Sequence, residues 1–216
     1  MADIFHEVDE EVRRERLQKL WERYSVYVIA LAVLVVAGIG AWRGYEWWLG
    51  RQAMAASAQF EQALTLGEQG KHAEAEQAFA KIAADAPKGY RVLARFRAAA
   101  ELAQDKPAEA VKAYDQIAAD GSLGQTLQDL ATLRAGMLLV DTAPLADMEK
   151  RLTPLTEPAR SFRASARELL ALSAWHNKDV TAAKTYLDMI AADAETPAGV
   201  RARAEVLSAL IAGGKS

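Results

Sequence analysis

KHAEAEQAFAKIAADA, residues 71–86, realigns on KPAEAVKAYDQIAADG, residues 106–121, with 9 identities in 16 positions at an offset of 35. The tetrapeptide IAAD returns at residues 190–193, which is 73 residues beyond its copy at 117–120, or two more periods of nearly the same length. A fixed period of this size means that each unit is one supersecondary element that buries its apolar face only against its neighbours. Four units are implied, with a divergent third. The units are rich in alanine and poor in β-branched residues, and Gly and Pro are confined to a few places. That composition favours helices and makes an all-α chain the expected fold class.

The unit length, with small residues at two crossing points and an aromatic in the second helix, resembles the tetratricopeptide repeat. Aligning Pro87 with that family's closing proline puts Ala63, Ala75 and Phe79 at the small, small and aromatic positions of the first unit. The second unit supplies Ala98, Ala110 and Tyr114, and the fourth Ala171, Ala183 and Leu187. Alanine makes sense where two helices cross, because only a short side chain lets the backbones approach to about 8–10 Å. The family's early tryptophan is missing, since Gln59, Ala94 and Arg167 stand in its place.

In the divergent third unit, Leu123, Leu127, Leu130, Leu133 and Met137 recur at helical spacing, and a second helix starting at Pro144 carries Leu145, Met148 and Leu152. Pro154 and Pro158 interrupt the chain, helices over 159–176 and 180–192 make the fourth hairpin, and residues 197–212 form a closing helix. Gly70, Asp105 and Asp179 fall in the turns between paired helices. The expected architecture is thus an α-solenoid of about four hairpins with a capping helix. Its concave face, lined by the first helix of each hairpin, can receive a peptide. Projecting the repeat family's groove positions gives Phe60, Leu64, Arg95, Leu102, Glu168, Leu172 and Trp175. Arg95, Glu168 and Trp175 stand out as partner-binding candidates, because a charge or a large indole has less to do in a core.

Ahead of the repeats, Tyr24 to Trp42 is a run of 19 residues without a charge, bracketed by Arg23 and Arg43. As a helix it spans roughly 28 Å, close to the hydrocarbon thickness of a bilayer. Trp21, Tyr24 and Tyr27 stand at one edge and Trp42, Tyr45, Trp47 and Trp48 at the other, where amphipathic rings prefer the headgroup region. Cleavage after the run is disfavoured, because the small-residue sites at 53–58 lie beyond two tryptophans and Arg43, Glu46 and Arg51. The expected organisation is a charged tail over 1–23, an anchor with its aromatic collar over 24–48, and a repeat domain over 49–216. The tail carries Arg13, Arg14, Arg16, Lys19 and Arg23, whereas the twenty residues after the run offer only Arg43 and Arg51. The amino terminus is therefore expected inside and the repeats outside, in the periplasm of a Gram-negative host. Glu10 with Arg14 and Glu15 with Lys19 are spaced for helical support, and Ile4, Phe5, Val8 and Val12 form an apolar face on the tail.

Chemistry is not where this sequence points. The formal charge is −3, and residues 49–216 carry 20 Lys and Arg against 21 Asp and Glu, so no basic face invites nucleic acid. There is no cysteine, and His6, His72 and His176 lie in separate segments without metal-site spacing. No phosphate loop, nucleophile elbow or HExxH run is present, and neighbouring acids such as Glu74 and Glu76 point to different helix faces. The expectation is a protein without enzymatic activity, cofactor, metal or small-molecule substrate.

A short inner tail, an anchor ending in GAWRGYEWW at 40–48, and an AASAQFEQAL helix at 55–64 leading into alanine-rich repeats resemble the YfgM-like family, ancillary subunits of the SecYEG translocon. The resemblance implies a membrane protein beside the protein-conducting channel. Its implied partners are the translocon, a periplasmic chaperone and translocated client chains. A scaffold for envelope assembly or cell division, binding one folded partner, is the alternative from a different class.

Overall fold

The computed structural model describes the backbone of residues 3–214 and the side chains of residues 21–214. Its helices are α1 (Asp3–Glu68), α2 (His72–Asp85), α3 (Lys88–Asp105), α4 (Pro107–Ala118), α5 (Gln125–Leu139), α6 (Leu145–Leu152), α7 (Arg163–His176), α8 (Val180–Ala192) and α9 (Ala198–Gly213). Among the described residues there is no strand, and the fold is all-α. Two compact units divide it, Met1–Met54 and Ala55–Ser216.

In the first unit α1 runs without a break, because the first of the six prolines is Pro87 and no turn signal precedes Gly67. From Tyr24 to Trp42 every side chain except Ser25 is exposed, including nine Val, Leu and Ile residues. An uncharged helix that shows valine and leucine on all sides has no protein core of its own to bury them. This is the one helix among the described residues that is long and apolar enough to cross a membrane. Trp21, Trp42, Tyr45, Trp47 and Trp48 are also exposed, and the Arg51 guanidinium lies 4.3 Å from the Trp47 ring centroid. The Glu10–Arg14 and Glu15–Lys19 pairs and the face of Ile4, Phe5, Val8 and Val12 lie outside the described side chains.

The second unit is built from four hairpins and a closing helix. The last turns of α1 pair with α2 through Ala63, Ala75 and the Phe60 and Phe79 rings; α3 pairs with α4, α5 with α6, and α7 with α8, and α9 covers the end of α7 and α8. Four apolar clusters follow the chain in order, the first three shared between consecutive hairpins and the last between the fourth hairpin and α9. Phe79 and Ile82 centre the first, Tyr114 and Ile117 the second, Met148, Leu152 and Leu170 the third, and Leu187 and Ile190 the fourth. The expected crossing residues Ala63, Ala75, Ala110, Ala171 and Ala183 are fully buried. In the third hairpin a glycine does the same work, since a Cβ on Gly136 would come within 3.1 Å of Leu152 Cδ2. Ala110→Leu is expected to destabilise the domain by about 1–3 kcal/mol through overpacking, read as a lower urea midpoint by circular dichroism.

The recurring IAAD has a physical reason. Its isoleucine is a core residue in all three copies, Ile82, Ile117 and Ile190. In two copies the aspartate then folds the following turn and holds the first helix of its own hairpin. Asp120 accepts hydrogen bonds from the Ser122 N–H at 3.0 Å and from Arg95 Nη1 at 2.6 Å. Asp193 accepts from the Glu195 N–H at 3.0 Å, from Arg163 Nε at 2.7 Å and from Arg167 Nη1 at 2.7 Å. Asp85, the first copy, is exposed and precedes Pro87. Arg167, standing where the repeat family has its tryptophan, is buried and also donates to the Thr156 carbonyl at 2.9 Å.

Turns follow the expected chemistry. Gly70 has φ +76°, and the Lys71 N–H reaches back to the Leu66 carbonyl at 2.9 Å, the six-to-one bond of a Schellman motif. Lys178 plays the same part with φ 64°, after which Asp179 caps α8 by accepting from the Ala182 N–H at 2.9 Å. Two details differ from expectation. Helix α7 begins at Arg163 rather than 159, because Glu157 is extended ahead of Pro158 and the chain first passes through a 3-10 turn at Thr153–Thr156. Met137, expected in the apolar stripe, is 47 % exposed; of that stripe only Leu123 and Leu133 are buried.

Candidate functional site

The half-buried residues of that stripe face an opening. Leu127 and Leu130 of α5 meet Val92, Leu93 and Phe96 of α3 and Phe60 of α1 around a cleft of about 450 Å³. Helical periodicity places Leu93, Arg97 and Ala100 on one stripe of α3 and Leu127, Leu130 and Arg134 on one stripe of α5. Phe60 is held from below, its ring 5.0 Å from Phe79 and 6.1 Å from Tyr90, both edge-on. Tyr114 forms the floor, 4 % exposed, with its ring 6.1 Å from Phe96. Arg97 and Arg134 stand at the opening, and both are exposed. Burial pushes the Tyr114 phenol above its ordinary pKa, while the positive charges of Arg134 and Arg97 act in the opposite sense on the same oxygen. The cleft therefore combines an apolar wall, a neutral hydroxyl and two cations.

Of the residues singled out from sequence, Phe60 lines this cleft and the three partner-binding candidates lie elsewhere. Arg95 faces a separate hollow of about 260 Å³ with Lys88, Arg91 and Asp120, and its guanidinium is held by Asp120. Glu168 on α7 accepts from Arg203 Nη2 of α9 at 2.8 Å, an ion pair that ties the closing helix down. Trp175, two turns further along α7, is 44 % exposed. The structure thus keeps Glu168 and Trp175 on one helix and does not bring Arg95 to them. Leu93, Phe96, Arg97, Leu130 and Arg134 were not projected from the repeat pattern. Their signal was an apolar stripe wider than a two-helix core needs, interrupted by arginine at the same phase in α3 and α5.

A larger hollow of about 540 Å³ between α5 and α6 has mixed charges on its wall, Asp147 with Lys150 and Arg151, and Arg151 is already bridged to Asp115. It offers a partner less apolar surface and no uncompensated cation of its own at Arg151. No cluster of three or more metal-binding side chains occurs among the described residues.

Paired helices with small residues at their crossings, stacked at a period near 35, agree with the outcome of a family comparison. The model of the tetratricopeptide repeat-like domain matches residues 18–170. The chain belongs to this tetratricopeptide repeat-like family. The match begins three residues before Trp21, takes in the whole apolar run, and ends on Leu170 inside α7, so the fourth hairpin and the closing helix of this tetratricopeptide repeat-like protein lie mostly beyond it. No curated protein and no solved structure matches the chain.

Acid should loosen the repeats through the IAAD aspartates. The hydrogen bond from Arg95, followed by those from Ser122, holds the Asp120 carboxyl at about 2, below its ordinary range. Arg163 and the Glu195 N–H, with Arg167, hold Asp193 lower still. A carboxyl depressed in the folded state stabilises that state above the unfolded pKa near 4, and the contribution is lost as pH falls through the folded value. The melting temperature of the wild type is expected to fall between pH 4 and pH 2. That of Asp120→Asn should start lower and fall less, so that the two curves converge toward pH 2.

Proposed function

We propose that this chain is a single-pass membrane protein that holds other polypeptides with its repeat domain and catalyses no reaction. The amino terminus faces the cytoplasm and the repeats face the periplasm. In that position the protein serves as an ancillary subunit at a Sec-type translocon and assists periplasmic chaperones with newly translocated chains. The observation that carries this reading is the pairing of two features in one chain. One is a charge-free run of helix with every apolar side chain from Val26 to Ile39 exposed, and the other is a repeat unit whose cleft is walled by Phe60, Leu93, Phe96, Leu127 and Leu130.

Lipid accounts for the first feature, because leaving that much aliphatic surface in water would cost about 25 cal/mol per Å². Orientation rests on the five basic residues of the tail against Arg43 and Arg51 beyond the run. A peptide accounts for the second, since first-helix faces of stacked hairpins are broad enough for an extended or helical segment. The role at the translocon rests on the resemblance of the anchor end, GAWRGYEWW, and of the helix that follows it to the YfgM-like family.

The test is crosslinking of the full-length protein in native membranes, followed by mass spectrometry of its neighbours. Channel subunits, periplasmic chaperones and a spread of exported chains are expected. Recovery of one folded partner at fixed stoichiometry would favour the scaffold instead, and recovery of neither channel nor chaperone would remove the translocon role.

A further inference from the structure

Seven of the ten arginines of the repeat unit have a partner within it. Arg95, Arg151, Arg160, Arg163, Arg167 and Arg203 are each bridged to an aspartate or glutamate, and Arg201 donates to the Ala191 and Asp193 carbonyls at 3.2 and 3.0 Å. Arg91, Arg97 and Arg134 differ: among the described residues no carboxylate lies within 4 Å of any of them, and whereas Arg91 shares its hollow with Asp120, Arg97 and Arg134 share the cleft. The acid one turn beyond Arg97, Glu101, is engaged by His72 Nδ1 at 2.7 Å. No acidic residue lines the cleft that the two arginines share, and its remaining wall is aliphatic and aromatic. Their charges converge, since one arginine comes from α3 and the other from α5 and both act on the Tyr114 oxygen at the floor between them.

A guanidinium at the rim of an apolar wall is well placed for a carboxylate, which it meets with two parallel hydrogen bonds, and the dielectric falls as the bound segment displaces water. We propose that the cleft binds a polypeptide segment in which an acidic side chain is flanked by large apolar residues, the carboxylate lying between Arg97 and Arg134 and its neighbours on Phe60, Leu93 and Leu130. The proposal rests on the protein-holding reading above and adds the chemistry of the segment that is held. Charge complementarity selects the occupant: a basic or purely polar segment would leave the two cations uncompensated, and an uncharged apolar one would leave them desolvated without a partner.

The experiment uses full-length protein in detergent micelles and fluorescence anisotropy with two labelled, amidated ten-residue peptides. One has two glutamates set among leucines and phenylalanines, and the other has glutamine in their place. The acidic peptide is expected to bind about tenfold more tightly, the size of effect that a charge-assisted hydrogen bond gives. Arg97→Gln and Arg134→Gln should each remove most of that preference, by weakening the acidic peptide and not the glutamine one, while leaving the melting temperature unchanged, because both side chains are exposed. Leu93→Ser should weaken both peptides. Equal binding of the two peptides, or a preference that survives the double Arg97→Gln, Arg134→Gln variant, overturns the proposal. So does a pair of arginine variants that alters only co-sedimentation with anionic-lipid vesicles, which would make a membrane headgroup the occupant. If neither peptide binds while exported chains are still crosslinked in membranes, the acidic-segment proposal fails and the holding function stands. If both experiments are blank, both fail.

Discussion

Val33→Arg combined with Val36→Arg is expected to release the protein from the membrane. Both valines lie near the middle of the charge-free run, and both are more than 60 % exposed, so neither arginine would find a protein partner on α1. A charge at the centre of a spanning helix costs about 2.5–3.5 kcal/mol on the insertion scale, and two on one face are enough to make insertion unfavourable. In carbonate-washed vesicles the wild type should stay in the pellet and the double variant should move to the supernatant. An aggregate would pellet too, so flotation on a density gradient separates the cases. A double variant that floats with membranes as the wild type does would mean that the run is held by something other than hydrocarbon.

The second large effect is expected at Phe79. Its ring is fully buried and packs edge-on against Phe60 at 5.0 Å within the cluster that joins the first hairpin to α3. Phe79→Ala should cost about 3–5 kcal/mol, the removed transfer energy plus the cavity left behind. Because each cluster in the repeat unit is shared only by consecutive hairpins or, for the last, by the fourth hairpin and α9, the loss should be felt first in α2 and α3 and weakly in α8 and α9. Hydrogen exchange on the full-length protein would show faster exchange confined to the early helices, and urea denaturation would give the magnitude. A loss below about 1 kcal/mol would show that the first hairpin is not packed as described. Phe60, which leans on Phe79 and also lines the cleft, links this core to the proposed peptide site.

Much of this fold was legible from residue order alone. The offset between residues 71–86 and 106–121 located two hairpins, and of the small positions inferred from it Ala63, Ala75 and Ala110 are fully buried, while Ala98 is half-buried beside the buried Ala99. Turn chemistry at Gly70 and Asp179 marked the joins correctly, because a left-handed residue and a capping carboxylate each have few substitutes. The start of α7 was misread by four residues. Pro158 signals a break, but how far the turn runs beyond it depends on Arg160, which reaches across to the buried Asp129 at 3.2 Å, a contact 31 residues away in sequence.

The cleft was harder to read. Projection from the repeat family assigned Arg95 and Glu168 to a binding face, whereas Arg95 is committed to Asp120 and Glu168 to Arg203. Periodicity places a residue on a side of a helix, yet whether a charge there is paired depends on what the next hairpin brings up. Arg97 is two residues from Arg95 and Arg134 lies in the divergent unit, so neither falls on a projected position. They became visible only once α3 and α5 were seen to share one opening.

On the proposed reading, another polypeptide sits in the first-helix cleft, on the far side of the membrane from the amino terminus. A photo-crosslinking amino acid placed at Leu93, and as a control at the exposed Glu109 on α4, would test it in intact cells. The account predicts adducts with exported polypeptides from position 93 and few from position 109. Equal yields from the two positions, or adducts only with cytoplasmic proteins, would contradict it.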